Sequence, residues 1–282
     1  MDFYMTQRVV SEVAYLGTVE STQDIATAHA RELVLSDQPL GLPRQFYVAE
    51  SQTCGRGQHG RTWISPDGGI YLSAVFPDVP QYMHRYLPLI TGLAIARMIM
   101  RPWFASPWLP GPPKSDIAFT NVHLRWPNDV LFNGRKIAGV LSESITMGHR
   151  AVAVIGIGMN VNADPAASDA SLRQYATCLA RELGGPVDKV KVNNAILHNI
   201  EDCIGALINR KWPPLHQDIC RLDFLIGRAI TLASQNQTIS GTGAGIADDG
   251  ALLLAMPSHR EPRAIYAGTI LTIDNRPIRP VE

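Results

Sequence analysis

An α+β fold in two parts is what this sequence predicts, and three observations predict it. Strand-like and helix-like segments follow one another without strict alternation, the composition changes near Gly227, and short turn-punctuated strands run from there to Ile273. Strict strand–helix alternation would have pointed to a doubly wound parallel sheet; its absence favours a mixed β-sheet packed with helices. Composition agrees. The 282 residues are 46% hydrophobic and 18% charged, against roughly 25% charged in an average soluble domain. Such a chain can bury a sizeable core, which excludes wholesale disorder.

The first expected element is a helix over residues 21–35, opened by Ser21-Thr22 and carrying Ile25, Ala28, Ala30 and Leu33 as its apolar positions. Residues 45–50 and 70–76 are runs of aromatic and branched side chains and read as strands. Between them, residues 51–69 form a loop dense in glycine and basic side chains, and long loops inside a domain are usually functional. Residues 86–100 predict a buried helix. Five prolines between residues 101 and 121 predict an irregular insertion. Three more strands are expected at 122–126, 136–143 and 151–161, with helices at 168–183 and 190–212. Beyond Arg228, segments such as Gln237-Thr-Ile-Ser-Gly-Thr-Gly243 and Ala247-Asp-Asp-Gly-Ala-Leu-Leu-Leu254 are short strands separated by Asp-Gly and Gly-rich turns. That is the pattern of a small β-barrel or sandwich. The boundary falls at about residue 225, giving units of 1–225 and 226–282.

Charge and cysteine content exclude several classes. Lys plus Arg and Asp plus Glu number 25 each, for zero formal net charge, whereas a dedicated nucleic-acid binder carries a basic excess. Cys54, Cys178, Cys203 and Cys220 are far apart and form no Cys-x-x-Cys pair. They read as reduced thiols, neither a disulfide framework nor a zinc site. The opening residues lack the basic-then-apolar order of a secretory signal. Residues 86–100, broken by Arg97, are short for a bilayer span. A cytoplasmic protein with neither DNA nor membrane as partner is expected.

Four segments carry chemistry. Cys54-Gly-Arg-Gly-Gln-His-Gly-Arg-Thr-Trp63 offers glycines that let the backbone approach a ligand, fixed charge at Arg56 and Arg61, and a flat face at Trp63. This suits a phosphate or carboxylate and a stacked base; a solvated surface loop is the plainer alternative. Arg125-Trp-Pro-Asn-Asp-Val130 enters a turn from which Asn128 and Asp129 reach a cleft or merely close the turn. Lys136, at the head of an apolar strand, either caps an edge or faces a cleft where two anions meet. Ile155-Gly-Ile-Gly-Met-Asn-Val-Asn162 lacks the third glycine and following helix of a dinucleotide fingerprint, so a Rossmann site is excluded. Its alternation puts Asn160 and Asn162 on one face. Neither a Walker loop nor a Gly-x-Ser-x-Gly elbow occurs, and the eight histidines show no metal-ligand spacing.

Together these segments resemble the biotin–protein ligases, also called biotin–[acetyl-CoA-carboxylase] ligases. The match rests on Glu20-Ser-Thr22, Gly55-Arg-Gly-Gln-His-Gly-Arg61 with Trp63, Arg125-Trp-Pro-Asn-Asp129, Arg135-Lys-Ile-Ala-Gly139 and Gly156-Ile-Gly-Met-Asn160, in the family's order. The resemblance implies a class II aminoacyl-tRNA synthetase-like catalytic domain and a small SH3-like C-terminal domain. It also implies a two-step reaction. Biotin is the substrate and MgATP the co-substrate, with no tightly bound metal; biotinyl-5′-AMP forms, and biotin passes to a lysine of a biotin carboxyl carrier domain. By resemblance, Lys136, Arg56 and Asp129 are catalytic. Ser21, Thr22, Gln23, Gln52, Gly55, Arg56 and Lys136 bind biotin. Arg56, Gly57, Gln58, Arg61, Trp63, Asn128 and Asn160 bind the nucleotide, and Asp129 stands near its magnesium. A lipoate-handling ligase of the same fold is the near rival.

Three departures from the family pattern stand out. Gln58 replaces a loop arginine, which shifts retention of the adenylate onto Arg56 and Arg61. Arg125 replaces a lysine, keeping charge but not shape. The 101–121 insertion has no counterpart in compact members. No segment before Ser11 is long enough for a winged helix, so a ligase without a DNA-binding arm is expected. Homodimer formation through a sheet edge is admitted.

Overall fold

Glu12–Val19 (β1), Gln45–Gln52 (β2), Ile70–Phe76 (β3), Val122–Arg125 (β4), Asp129–Phe132 (β5), Arg135–Met147 (β6) and Arg150–Met159 (β7) make the larger sheet of the computed structural model. Their order is β1-β2-β3-β7-β6-β5-β4, with β1 and β2 parallel and every other neighbour antiparallel. The structure describes residues 11–36, 40, 43–100, 121–235, 237–257 and 259–278.

Both faces of this sheet are covered, which is why β3 is buried throughout and reads as an apolar run, Ser73 apart, rather than an alternating one. On one face lies α1 (Thr22–Leu35), whose Ala26, Ala30, Leu33 and Val34 pack with Val75, Val152 and Val154. Ser21 caps it, its hydroxyl accepting from the Asp24 N–H at 3.3 Å. On the other face lies α2 (Leu87–Met100), buried nearly all round, as its near-continuous apolar sequence requires. It packs against α5 (Lys189–Ile208) and α6 (Trp212–Arg221), and Arg97 reaches Asp218 on α6 at 2.6 Å.

The second sheet runs β11-β10-β9-β8-β12-β13, all antiparallel. Its strands are Ala229–Ser234 (β8), Gln237–Ile246 (β9), Leu252–Ala255 (β10), Arg263–Ile265 (β11), Thr269–Ile273 (β12) and Arg276–Pro277 (β13). The architecture is therefore the expected one, a mixed sheet with helices followed by a small all-antiparallel, SH3-like unit. Ile230, Leu232, Ile246 and Leu252 join the same buried cluster as α2. Two indoles tether the sheet further: Trp126 Nε1 donates to the Gly250 carbonyl and Trp212 Nε1 to that of Asp248.

Several elements differ from expectation. The helix expected at 168–183 is instead α3 (Pro165–Ser168), a 3-10 turn at Ala170–Gln174, and α4 (Leu179–Leu183). Asp164 and Asp169 each cap a fresh turn. After Tyr175 closes the 3-10 turn, Ala176 forms a parallel bridge with Lys136, whose N–H and C=O pair with Tyr175 and Thr177. The helix expected at 190–212 stops at Ile208, and α6 restarts with Pro213 and Pro214, which fit a first helical turn but not an interior. A 3-10 turn, Gln81–Tyr86, precedes α2. Strands β1 and β5 were not expected. The insertion expected at 101–121 lies outside the described residues except at Asn121. Among the described residues no helix is long and apolar enough to cross a membrane.

Candidate functional site

A cleft opens where the N-terminus of α1, the ends of β2, β3, β6 and β7, the loop after β2 and the β4–β5 turn converge. Its wall against the sheet is made of glycines for a steric reason. A Cβ at Gly158 would lie 2.3 Å from Trp63 Cε2, and one at Gly156 would lie 2.4 Å from Gln23 Oε1. The indole therefore lies flat against β7 and β6 only because those strands carry no side chain there. Trp63 is 8% exposed and its Nε1 has no hydrogen-bond partner.

The cleft's floor is a compact ionic cluster. Asp129 is held on both oxygens, Lys136 Nζ lying 2.8 Å from Oδ1 and Arg125 Nη2 2.6 Å from Oδ2, with Arg125 Nε also donating at 3.0 Å. Burial pushes the Asp129 carboxyl up, but the two cations outweigh it and hold the pKa below the ordinary carboxylate value. Lys136 Nζ also sits 5.1 Å from the centre of the Trp63 ring, a cation–π contact. Two cations against one carboxylate leave a positive floor, suited to an anionic substrate.

Across from it runs a polar chain. Gln52 Oε1 accepts from the Thr22 N–H at 2.8 Å, the Thr22 and Ser73 hydroxyls are 2.9 Å apart, and Ser73 Oγ donates to Gln23 Oε1 at 3.1 Å. Gln23 Nε2 in turn donates to Glu143 Oε2 at 2.6 Å. At the rim, Arg56 donates to Asp24 at 2.6 Å and to Glu143 Oε1 at 3.4 Å. The loop carrying it is folded on itself, with Gly57 N–H donating to Arg61 O and Trp63 N–H to Gly55 O.

Of the residues singled out in the sequence, the cleft gathers Thr22, Gln23, Gln52, Arg56, Gly57, Gln58, Arg61, Trp63, Asn128, Asp129 and Lys136. Three stand elsewhere. Ser21 is the α1 cap. A Cβ at Gly55 would lie 2.3 Å from Trp63 O, so that glycine packs the loop base rather than lining the cleft. Asn160 follows the last residue of β7 and borders a neighbouring small recess with Trp63, Ile64, Pro66 and Leu172. Because β7 ends at Met159, strand alternation does not place Asn160 and Asn162 together. Asn160 donates to Thr177 O and Asn162 to Val187 O. Asn128 spends its amide on Val140 O at 2.7 Å, pinning the β4–β5 turn to β6.

Sequence reasoning missed Ser73 and the second sheet's contribution of Gly268, Thr269, Ile270 and Ile278 to the cleft, together with Glu143, which backs it through Gln23 and Arg56. Ser73 had a signal, as the one small polar side chain in an otherwise apolar strand; the others had none. As a magnesium ligand Asp129 fits poorly, because both of its oxygens are already taken by cations. Among the described residues no group of three or more His, Cys, Asp or Glu side chains could hold a metal ion.

Comparison with known proteins now bears on this geometry. Residues 21–160 match the model described as the biotin/lipoate A/B protein ligase family, and residues 225–272 match the biotin protein ligase C terminal domain. The bifunctional ligase/repressor BirA of Bacillus subtilis is 31% identical over 252 residues, covering 88% of this chain and 71% of that protein. The chain belongs to the biotin protein ligase family. The biotin–[acetyl-CoA-carboxylase] ligase of Mycobacterium tuberculosis, another relative, is 31% identical over 212 residues, covering 73% of this chain and 71% of that one. In fold, the chain matches the biotin protein ligase from Aquifex aeolicus in complex with biotin and ATP. The TM-score is 0.71, at 24% identity, over 94% of this chain and 99% of that one. Most of the cleft lining lies inside the first matched segment, Gly268, Thr269 and Ile270 come from the second, and Ile278 lies just beyond it.

Proposed function

We propose that this protein is an ATP-dependent biotin–protein ligase that works in the cleft just described. In the first step a biotin carboxylate oxygen attacks the α-phosphorus of MgATP, the bond to the bridging oxygen of pyrophosphate breaks, and biotinyl-5′-AMP forms. In the second, a lysine amine of a biotin carboxyl carrier domain attacks the anhydride carbonyl; AMP leaves, the amine gives up a proton and an amide remains.

The observation that carries this reading is the pairing of a positive floor with a neutral polar wall in one cleft. Lys136 and Arg125 offset the repulsion between carboxylate and triphosphate, which would otherwise cost several kcal/mol at contact in a dry site. Asp129 acts as a positioning residue that holds both cations, and Arg56 closes the rim over the reacting anions. Thr22, Gln23 and Gln52 face the neutral ring system of biotin, while Trp63, with Asn160 beyond it, takes the adenine. Gly57, Gln58 and Arg61 cover the phosphates, with the loop keeping water from a hydrolysable anhydride. Magnesium enters with the nucleotide as part of the substrate.

The chain is read as two working units, 1–225 and 226–282, supported by the change from mixed to antiparallel sheet. A cytoplasmic location and a homodimer through the open edge of β1, where Tyr15 is exposed, belong to the same reading. Biotin is favoured over lipoate by the C-terminal match, whose description names biotin alone. The test is pyrophosphate release from MgATP with each acid in turn. Release that depends on biotin supports the proposal; release with lipoate and none with biotin overturns it.

A further inference from the structure

Glu143 closes the strand expected at 136–143 and was given no role there, yet it contacts Gln23 on the polar wall and Arg56 at the rim. Its Oε2 accepts from Gln23 Nε2 at 2.6 Å and, more weakly, from Thr27 Oγ1 at 3.4 Å, while its Oε1 faces Arg56 Nη2 at 3.4 Å. A carboxylate is acceptor-only. Gln23 must therefore turn its amide nitrogen toward Glu143 and its oxygen toward Ser73. Ser73 must donate to that oxygen. The Thr22 hydroxyl lies between two acceptors, Gln52 Oε1 at 3.1 Å and Ser73 Oγ at 2.9 Å. Gln52 Oε1 is also served by the Thr22 N–H and the Ser73 proton goes to Gln23, so the shorter contact takes the Thr22 proton. Protons then run one way, from Thr22 through Ser73 and Gln23 to Glu143. With their protons committed along the chain, the two hydroxyls show the cleft lone pairs, which suit a ligand with ring N–H donors.

We propose that Glu143 is a positioning residue for this site, fixing the direction of the Thr22–Ser73–Gln23 hydrogen-bond chain with one oxygen and holding Arg56 at the rim with the other. This rests on the proposed biotin reading, since the ureido ring supplies the N–H donors the wall is set to receive. Glu143→Gln is the discriminating change, because a carboxamide of the same size can donate as well as accept and lets the chain reverse.

Biotin binding by calorimetry and the KM values for biotin and ATP are measured on wild type, E143Q, Ser73→Ala and the double variant, each checked for cooperative thermal unfolding. Weakening one charge-assisted hydrogen bond predicts a rise of about tenfold in biotin Kd and KM for E143Q, with ATP KM within about twofold. In the double variant the two losses fall short of multiplying, because both cut one chain. Should E143Q not fold, Ser73→Ala is expected to give the same biotin-selective loss, and Glu143→Asp, still acceptor-only, replaces E143Q in the cycle. Wild type that binds biotin beside an E143Q indistinguishable from it, or losses that simply multiply, overturns the role of Glu143 alone. Wild type that does not bind biotin overturns the functional reading and this role with it.

Discussion

Replacing Asp129 with Asn removes one charge from the centre of the cleft floor and strands two. Lys136 and Arg125 are each 13% exposed at the side chain, and both are paired to this carboxylate. Two unit charges about 4 Å apart attract by about 4 kcal/mol at an effective dielectric of about 20. Desolvation offsets much of that, and removing one partner of a buried pair costs about 3–5 kcal/mol because the other is left uncompensated. Asn keeps one acceptor oxygen, so the lower end, about 3 kcal/mol, is expected for D129N at neutral pH. Acid changes the comparison in a set direction. The Asp129 pKa is depressed in the folded protein, so its stabilisation is complete above the unfolded value of about 3.9 and fades as pH falls through the folded one. The gap between wild type and D129N should therefore narrow below about pH 4. Urea denaturation across that range measures it, with the m-value unchanged. A loss under about 1 kcal/mol at neutral pH, or a gap that persists undiminished in acid, refutes the view that Asp129 holds both cations.

Three further outcomes are expected. Gly158→Ala drives a methyl into Trp63 and should cost about 1–3 kcal/mol of stability, raising ATP KM more than biotin KM in the pyrophosphate assay. Arg56→Ala breaks a half-exposed pairing with Asp24, so thermal stability should change by less than about 1 kcal/mol, while biotin-dependent pyrophosphate release falls at least about a hundredfold. Trp126→Phe removes the bond to Gly250 O and should cost about 1 kcal/mol in urea denaturation.

Much of the site was legible because its residues cluster in sequence. The loop from Arg56 to Trp63 and the short span from Arg125 to Lys136 each deliver several groups to one cleft, so motif spacing sufficed. Lys136 shows the limit: its position at a strand head fitted an edge cap as well as a cleft, and only the pairing with Asp129 across the β5–β6 hairpin decides between them. Glu143 was invisible because its partners, Gln23 and Arg56, lie far away in sequence and meet it only through sheet packing. The helix expected at 168–183 failed for a related reason. Residues 175–177 have helix-compatible composition, but the backbone bridge between Ala176 and Lys136 interrupts the helical run there. The second sheet's residues in the cleft depend on how that sheet docks, through Trp126 and Gly250, and no local pattern encodes docking.

The most direct test of the account is mass spectrometry of a biotin carboxyl carrier domain incubated with this protein, biotin and MgATP. A single biotinyl amide on one lysine is expected, absent without ATP and absent with a folded Lys136→Ala variant. An unmodified carrier with the wild-type protein, or full labelling by Lys136→Ala, would contradict it.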